Sequence, residues 1–247
     1  RSFTKHSTLL VNMSFKTFES DKPLIYIHVD KTGGTTICEY VKEWFHDEKY
    51  RLCMFDREHY PPNEYCKIIH HTDLSKKIEQ LKCDGIYNPI FFGHLVEDIG
   101  TMVPEKCTQF VTIIRNPFDR MVSNYFYDIM DDVGEIINYN MSLEQYICTK
   151  DPGEDLVDIF TKEIITLDNY KYIIKKYFIY IGLFEKFNTS ILKLATVLEK
   201  PANIKILRHL NKSEYTTNVP NHLREFHRKK YPLHYAIYDY IEQLHTI

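Results

Sequence analysis

The segment Leu24-Ile25-Tyr26-Ile27-His28-Val29-Asp30-Lys31-Thr32-Gly33-Gly34-Thr35-Thr36 constrains this chain more than any other. A buried-looking apolar run enters a Lys-Thr-Gly-Gly-Thr-Thr turn, and Ile37, Tyr40, Val41, Trp44 and Phe45 then recur on one helical face. Strand, glycine turn and helix N-terminus together form an anion cradle. Glycines let the backbone approach a ligand closely, unpaired N–H groups point outward, and the helix dipole favours negative charge. The lysine contributes a point charge and the threonines contribute hydroxyl donors. A phosphorylated ligand is the expectation.

Missing features narrow the ligand. A nucleoside-triphosphate P-loop reads G-x-x-x-x-G-K-[ST], with its lysine after the glycines and a hydroxyl on Mg²⁺. Here Lys31 precedes Gly33 and Gly34, so the cation stands at the strand end. The dinucleotide fingerprint G-x-G-x-x-G does not occur at this turn either. A kinase would also need an acidic metal ligand on a neighbouring strand, and none is visible.

A second strand-to-helix junction lies at Gln109-Phe110-Val111-Thr112-Ile113-Ile114-Arg115, followed by Asn116-Pro117-Phe118-Asp119-Arg120-Met121-Val122-Ser123-Asn124-Tyr125. Asn116 suits an N-cap and Pro117 the first helical position. Phe118, Met121, Val122, Tyr125 and Phe126 supply an apolar stripe. Arg115 stands at the carboxyl end of its strand, where open α/β sheets bind ligands. Ser123 lies two turns into the helix, off that stripe, so a second phosphate can bridge Arg115 and Ser123.

With both junctions in view, the chain resembles the Golgi-type carbohydrate sulfotransferases. Residues Ile27 to Thr36 are similar to the family's 5′-phosphosulfate loop, closest to that of heparan sulfate 6-O-sulfotransferases. Ile114 to Tyr125 resembles the 3′-phosphate motif, usually Arg-Asp-Pro followed by Arg and then Ser-x-Tyr. Phe91-Phe92-Gly93-His94 and Tyr180-Ile181-Gly182-Leu183-Phe184-Glu185 are more similar to heparan sulfate 2-O-sulfotransferases. Asp30 stands where the family commonly has Pro or Gln, and Asn116 replaces the usual Asp. Neither change removes a phosphate ligand, but Asp30 sets a negative charge beside the sulfonate loop.

The resemblance implies 3′-phosphoadenosine 5′-phosphosulfate (PAPS) as donor and 3′-phosphoadenosine 5′-phosphate (PAP) as leaving product, with no metal. It implies that Lys31 stabilises the leaving phosphate and that Thr32, Gly33, Gly34, Thr35 and Thr36 hold the 5′ end. Arg115 and Ser123 would hold the 3′-phosphate, and Lys212 and Ser213 fit a late loop that closes over the nucleotide. His94 matches the catalytic histidine region and is the candidate base for the acceptor hydroxyl, with Glu97, Asp98, His70 and His71 behind it. Sulfuryl transfer, like phosphoryl transfer, asks mainly for positioning and charge stabilisation. A histidine near neutral pKa is suited to taking the hydroxyl proton. His28 reads as a strand residue with a supporting role.

A chain of 247 residues can build one α/β domain with a sizeable core, and no linker, repeat or low-complexity block divides it. Strand candidates 24–29, 90–93, 109–115 and 178–183 alternate with helix candidates 34–46, 73–82, 117–130, 142–149, 155–177, 189–199 and 232–246. That alternation predicts a single P-loop-like α/β domain with a mostly parallel central sheet flanked by helices. Residues 47–72 and 131–154 look irregular, as acceptor-lining loops often do. Residues 1–20 are read as an N-terminal extension or stem remnant and 21–247 as the sulfotransferase domain.

The net charge of −3 is not that of a general polyanion binder, and no nucleic-acid partner is expected. The acceptor is read as a carbohydrate, with a small alcohol or phenol as the alternative. Basic residues concentrate at His222, Arg224, His227, Arg228, Lys229 and Lys230, and at Lys171, Lys175 and Lys176. The cysteines number six, without zinc spacing; Cys53, Cys66 and Cys83 are candidates for pairing, and Cys38 falls on the polar side of its helix. Sequons begin at Asn12, Asn140, Asn188 and Asn211. These features, with the resemblance, suggest the Golgi lumen, reached through a membrane anchor absent from this chain; the cytoplasm is the alternative.

Overall fold

The structure is a computed structural model, which describes residues 15–45, 52–55, 66–69, 80–81, 90–93, 109–130, 141–151, 157, 164–201 and 219–246. Its centre is a six-stranded sheet. In chain order the strands are β1 (Leu24–Ile27), β2 (Leu52–Phe55), β3 (Cys66–Ile69), β4 (Ile90–Gly93), β5 (Phe110–Ile114) and β6 (Phe178–Leu183). They lie in the order β3-β2-β4-β1-β5-β6, and every pairing is parallel. The expected α/β domain with a parallel sheet is therefore the fold observed.

Side-chain parity explains why the sheet is covered on both faces. Ile25 and Ile27 point into one core with Phe91, Phe110 and Ile114, while Leu24 and Tyr26 point into the other with Ile90, Phe92 and Val111. Between Phe110 and Val111 the register with β6 shifts, since Phe110 pairs with Phe178 and Val111 with Tyr180. The extra residue, Ile179, joins Tyr180 in the second core, and Ile181 returns to the first.

Helices α1 (Gly34–Trp44) and α5 (Phe187–Val197) cover the second core through Ile37, Tyr40, Val41, Phe187, Ile191 and Leu194. Helices α4 (Tyr170–Tyr177) and α7 (Pro232–Leu244) cover the first through Ile173, Ile174, Ile237 and Ile241. A third cluster joins α2 (Pro117–Met130), α3 (Leu143–Thr149), α6 (Asn221–Lys230) and α7 through Phe118, Met121, Tyr146, Ile147, Leu223 and Tyr235. Helix α3 begins with a capping box, in which the Ser142 hydroxyl and the Gln145 side chain exchange bonds with each other's backbone N–H. The segment ahead of β1 is pinned by a buried glutamine: Gln109 Nε2 donates to the carbonyls of Glu19, Lys22 and Pro23, and its Oε1 accepts from Glu19 N–H.

Some elements differ from the expectation. β2 and β3 fall inside 47–72, where runs of four residues are too short to declare a period and gain their partners only from the sheet. Of the helix expected over 155–177, the described residues 164–169 form turns and a helix runs from Tyr170 to Tyr177, because polar side chains hold a turn before it. Asn169 Oδ1 accepts from Thr166 N–H at 2.7 Å, and the Thr166 hydroxyl accepts from Asp168 N–H at 3.3 Å. The basic cluster at 222–230 is the helix α6. Cys38 is buried in the second core and not on a polar face, because the apolar stripe of α1 is wide enough to take Ile37 and its neighbour together.

Strand order locates the crevice. From β1 the chain moves outward on one side to β2, and from β5 it moves outward on the other to β6. β1 and β5 are neighbours, so the connections leaving them diverge and open a gap beyond their carboxyl ends. Both strand-to-helix turns lie there.

Candidate functional site

The first turn starts two residues earlier than expected. β1 ends at Ile27, and His28 follows it, half-exposed, donating its backbone N–H to Gly93 O at 2.9 Å. The chain then tightens: the Thr32 hydroxyl donates to Val29 O at 2.6 Å and is fully buried. That hydroxyl proton serves the loop. Lys31 adopts a left-handed backbone with φ of 62°, uncommon for a residue with a side chain.

Each glycine of the pair has a separate reason to be glycine. Gly33 caps α1 with φ of 83°, a conformation that Cβ disfavours. Gly34 is already helical, but the His28 ring lies flat against it, and a Cβ there would come within 1.9 Å of His28 Nε2. The same ring stacks on Phe92 with centroids 5.9 Å apart. Among the described residues no side chain caps the start of α1, and N–H groups at a helix start are suited to meeting an anion. Thr35 is exposed at that end, whereas Thr36 is buried.

The second turn is built as the sequence predicts. Asn116 Oδ1 accepts from Phe118 N–H at 3.1 Å and from Asp119 N–H at 3.3 Å, which makes it the N-cap of α2. Asn116 N–H donates to Glu185 Oε1 at 2.7 Å, so the Phe184-Glu185 run after β6 anchors this turn from the far side. Tyr238 of α7 also meets Glu185; burial first, then the Glu185 charge, pushes its phenol pKa up. Ser123 is buried, on the α2 face that also carries Arg120 and Tyr127 at i−3 and i+4.

The two turns touch. Arg115 Nη1 donates to Lys31 O at 3.2 Å, and the Arg115 guanidinium lies 4.6 Å from the Phe184 ring centroid. The Lys31 ammonium sits 3.1 Å from the centroid of the Tyr127 ring. Beside the junction a cleft of ≈ 330 Å³ is lined by Arg115, Asp119, Val122, Phe184 and Glu185. A smaller one of ≈ 20 Å³ also borders Arg115, against Arg120, His234 and Tyr238. Arginine, lysine and a helix N-terminus thus converge at one sheet edge, an arrangement suited to a ligand with two separate anionic groups.

Lys31, Thr32, Gly33, Gly34, Thr35, Thr36, Arg115 and Ser123 are all described, on the two turns that meet at this edge or in the helices that follow them. His94, Glu97, Asp98, His70, His71, Lys212 and Ser213 lie outside the described residues, although β4 delivers the chain as far as Gly93, paired with Ile27. Sequence reading passed over Tyr127 and the packing of His28 on Gly34. Spacing from Ser123 was the available signal for the first, and the doubled glycine for the second.

The sulfotransferase family model matches residues 15–164, more than half of the chain, and the chain belongs to that family. The match contains both turns. It is thus a member of an enzyme family that transfers sulfuryl groups. Among curated proteins no sequence matches the chain. Among solved structures, mouse sulfotransferase SULT7A1 complexed with PAP is similar at 18% sequence identity and a TM-score of 0.45, over 82% of this chain and 67% of that one.

Proposed function

We propose that this chain moves the sulfuryl group of PAPS to a hydroxyl of a carbohydrate acceptor of the glycosaminoglycan kind, releasing PAP. The observation that carries the donor half is the meeting of Lys31 and Arg115 at the β1–β5 crevice. PAPS has a phosphosulfate at one end and a 3′-phosphate at the other, which is what two adjoining anion sites would read. Within this reading the N-terminal N–H groups of α1 take the 5′ end, and Arg115 with Ser123 takes the 3′-phosphate.

In the transfer step the acceptor oxygen bonds to sulfur as the bond from sulfur to the phosphate oxygen breaks. The hydroxyl proton passes to a base, for which His94 is the candidate. Negative charge grows on the departing phosphate, and Lys31 is the group placed to stabilise it. The sugar acceptor rests on the resemblance of the two motifs to heparan sulfate sulfotransferases. A lumenal setting rests on the same resemblance and on the sequons. One sequon is unsuited to use in the folded protein: Asn188 is exposed, but the Ser190 hydroxyl is buried, donating to Leu183 O and accepting from Leu183 N–H.

Calorimetric titration with PAP, against ATP plus Mg²⁺, tests the donor. Tight binding of PAP without added metal is the expected result. Preference for ATP with Mg²⁺ would overturn it. Desulfated heparan chains against a simple phenol, each with radiolabelled PAPS, test the acceptor; label moving only to the phenol would remove the carbohydrate reading.

A further inference from the structure

The side chain of Tyr127 has no place in the function so far. It follows Tyr125 and Phe126, both of which pack against the Phe118 cluster. It stands half-buried, one helical turn beyond Ser123 on the same face of α2. Its ring face receives the Lys31 ammonium at 3.1 Å from the centroid, well inside the range of cation–π attraction.

We propose that Tyr127 is a positioning residue that clamps the Lys31 ammonium for the 5′-phosphate of the donor nucleotide, a role that rests on the PAPS reading above. Lysine carries four flexible side-chain bonds, and an unrestrained ammonium would spend much of its time in solvent. Contacts at both ends of Lys31 restrain this one. Arg115 holds the Lys31 carbonyl and fixes the left-handed backbone, while Tyr127 holds the far end of the side chain. An ammonium resting on a ring still has N–H donors directed away from the ring, so it remains able to meet phosphate oxygens. Both restraints come from the Arg115–Tyr127 segment, so the turn that would read the 3′-phosphate also sets the cation at the 5′ end. Preorganising a charge before the ligand arrives lowers the ordering cost of binding and of transfer.

The test compares Tyr127→Leu with Tyr127→Phe. PAP and adenosine 3′-monophosphate, which lacks the 5′-phosphate, serve as calorimetric probes. Tyr127→Leu should weaken PAP by about fivefold and leave adenosine 3′-monophosphate within about twofold, because only the 5′ contact depends on the clamp. Tyr127→Phe, which keeps the ring face, should restore PAP binding. In a Lys31→Met background, Tyr127→Leu should change PAP affinity no further. Equal losses for both nucleotides, or a Leu variant identical to wild type, would overturn the proposal.

A second readout is independent of any nucleotide. In protein labelled with ¹³C-lysine, the Lys31 ε-methylene protons, assigned by Lys31→Arg, should resonate upfield through the ring current. They should return to the ordinary position in Tyr127→Leu but not in Tyr127→Phe. An ordinary shift in the wild type overturns the clamp, whereas an upfield shift in a wild type that binds neither nucleotide sustains the clamp and removes the PAPS reading.

Discussion

Arg115 Nη1 donates to the carbonyl of Lys31 across 84 residues of sequence, so the two strand-to-helix turns form one unit and not two. Arg115 lies at the end of β5 and Lys31 just beyond β1, and only the parallel pairing of those strands brings them together. The bond has a consequence for mutation. Arg115→Ala removes a charge expected to read the 3′-phosphate, and it also frees the loop that carries Lys31. It should weaken PAP by about tenfold or more, as expected for losing a charge-assisted contact. Adenosine 5′-phosphosulfate, which has no 3′-phosphate, should lose a smaller but measurable part of its affinity. Calorimetry with both nucleotides checks this; unchanged binding of adenosine 5′-phosphosulfate would show that the Lys31 carbonyl bond does not shape the loop.

His28 and Gly34 form a second coupled pair, in which a ring occupies the space a side chain would need. Gly34→Ala should destabilise the protein by about 1–3 kcal/mol, as overpacking does. His28→Ala removes the ring, so Gly34→Ala should cost much less in that background. A urea-denaturation double-mutant cycle measures the coupling. Additive effects would mean that the His28 ring is not what excludes a Cβ.

The fold was legible where a residue pattern extends over many positions. β1, β4, β5 and β6 are mostly apolar runs, as strands covered on both faces must be, and the helices after β1 and β5 carry apolar stripes. β2 and β3 were not legible, because four-residue runs acquire strand character only from the strands beside them. The same division holds in the site. Lys31, the glycines, Arg115 and Ser123 announce themselves through residue type and spacing. The Lys31–Tyr127 contact and the His28–Gly34 contact depend on how separate elements pack, which no local pattern encodes. The Thr32 hydroxyl is likewise placed by packing, since it folds back onto Val29 O.

Lys31 holds a left-handed backbone that costs a residue with a Cβ about 1–2 kcal/mol. Lys31→Ala keeps that strain and loses the ammonium, whereas Lys31→Gly loses both. Both variants should slow sulfuryl transfer from PAPS to desulfated heparan by about a hundredfold or more, as loss of a group that stabilises transition-state charge does. The glycine variant should be the more stable of the two by about 1 kcal/mol, after allowing for the greater freedom of glycine in the unfolded chain. Thermal melting and initial rates on the same preparations check the pair. A glycine variant less stable than alanine would mean that the turn is not strained at Lys31.

His227 is fully buried in α6, sharing a 3.0 Å hydrogen bond between Nδ1 and the Tyr235 hydroxyl and packed edge-on against Phe118. Burial lowers its pKa from 6.5 to about 4, and the nearby His234, Arg120, Lys230 and Arg224 push it the same way. In the unfolded chain the imidazole protonates near its ordinary value, so between those two values the unfolded state binds more protons. Stability should therefore be full above about pH 6.5 and fall as the pH drops toward 4, with this residue contributing on the order of 3 kcal/mol to the loss. His245, whose pKa is also lowered by burial, adds in the same direction. His227→Phe fills the aromatic site without a titrating group, at the cost of the Tyr235 bond. Its urea midpoint should be lower at pH 7.5 but decline less than that of the wild type down to pH 4.5. Parallel declines in the two proteins would show that His227 takes up its proton in the folded state as easily as in the unfolded chain.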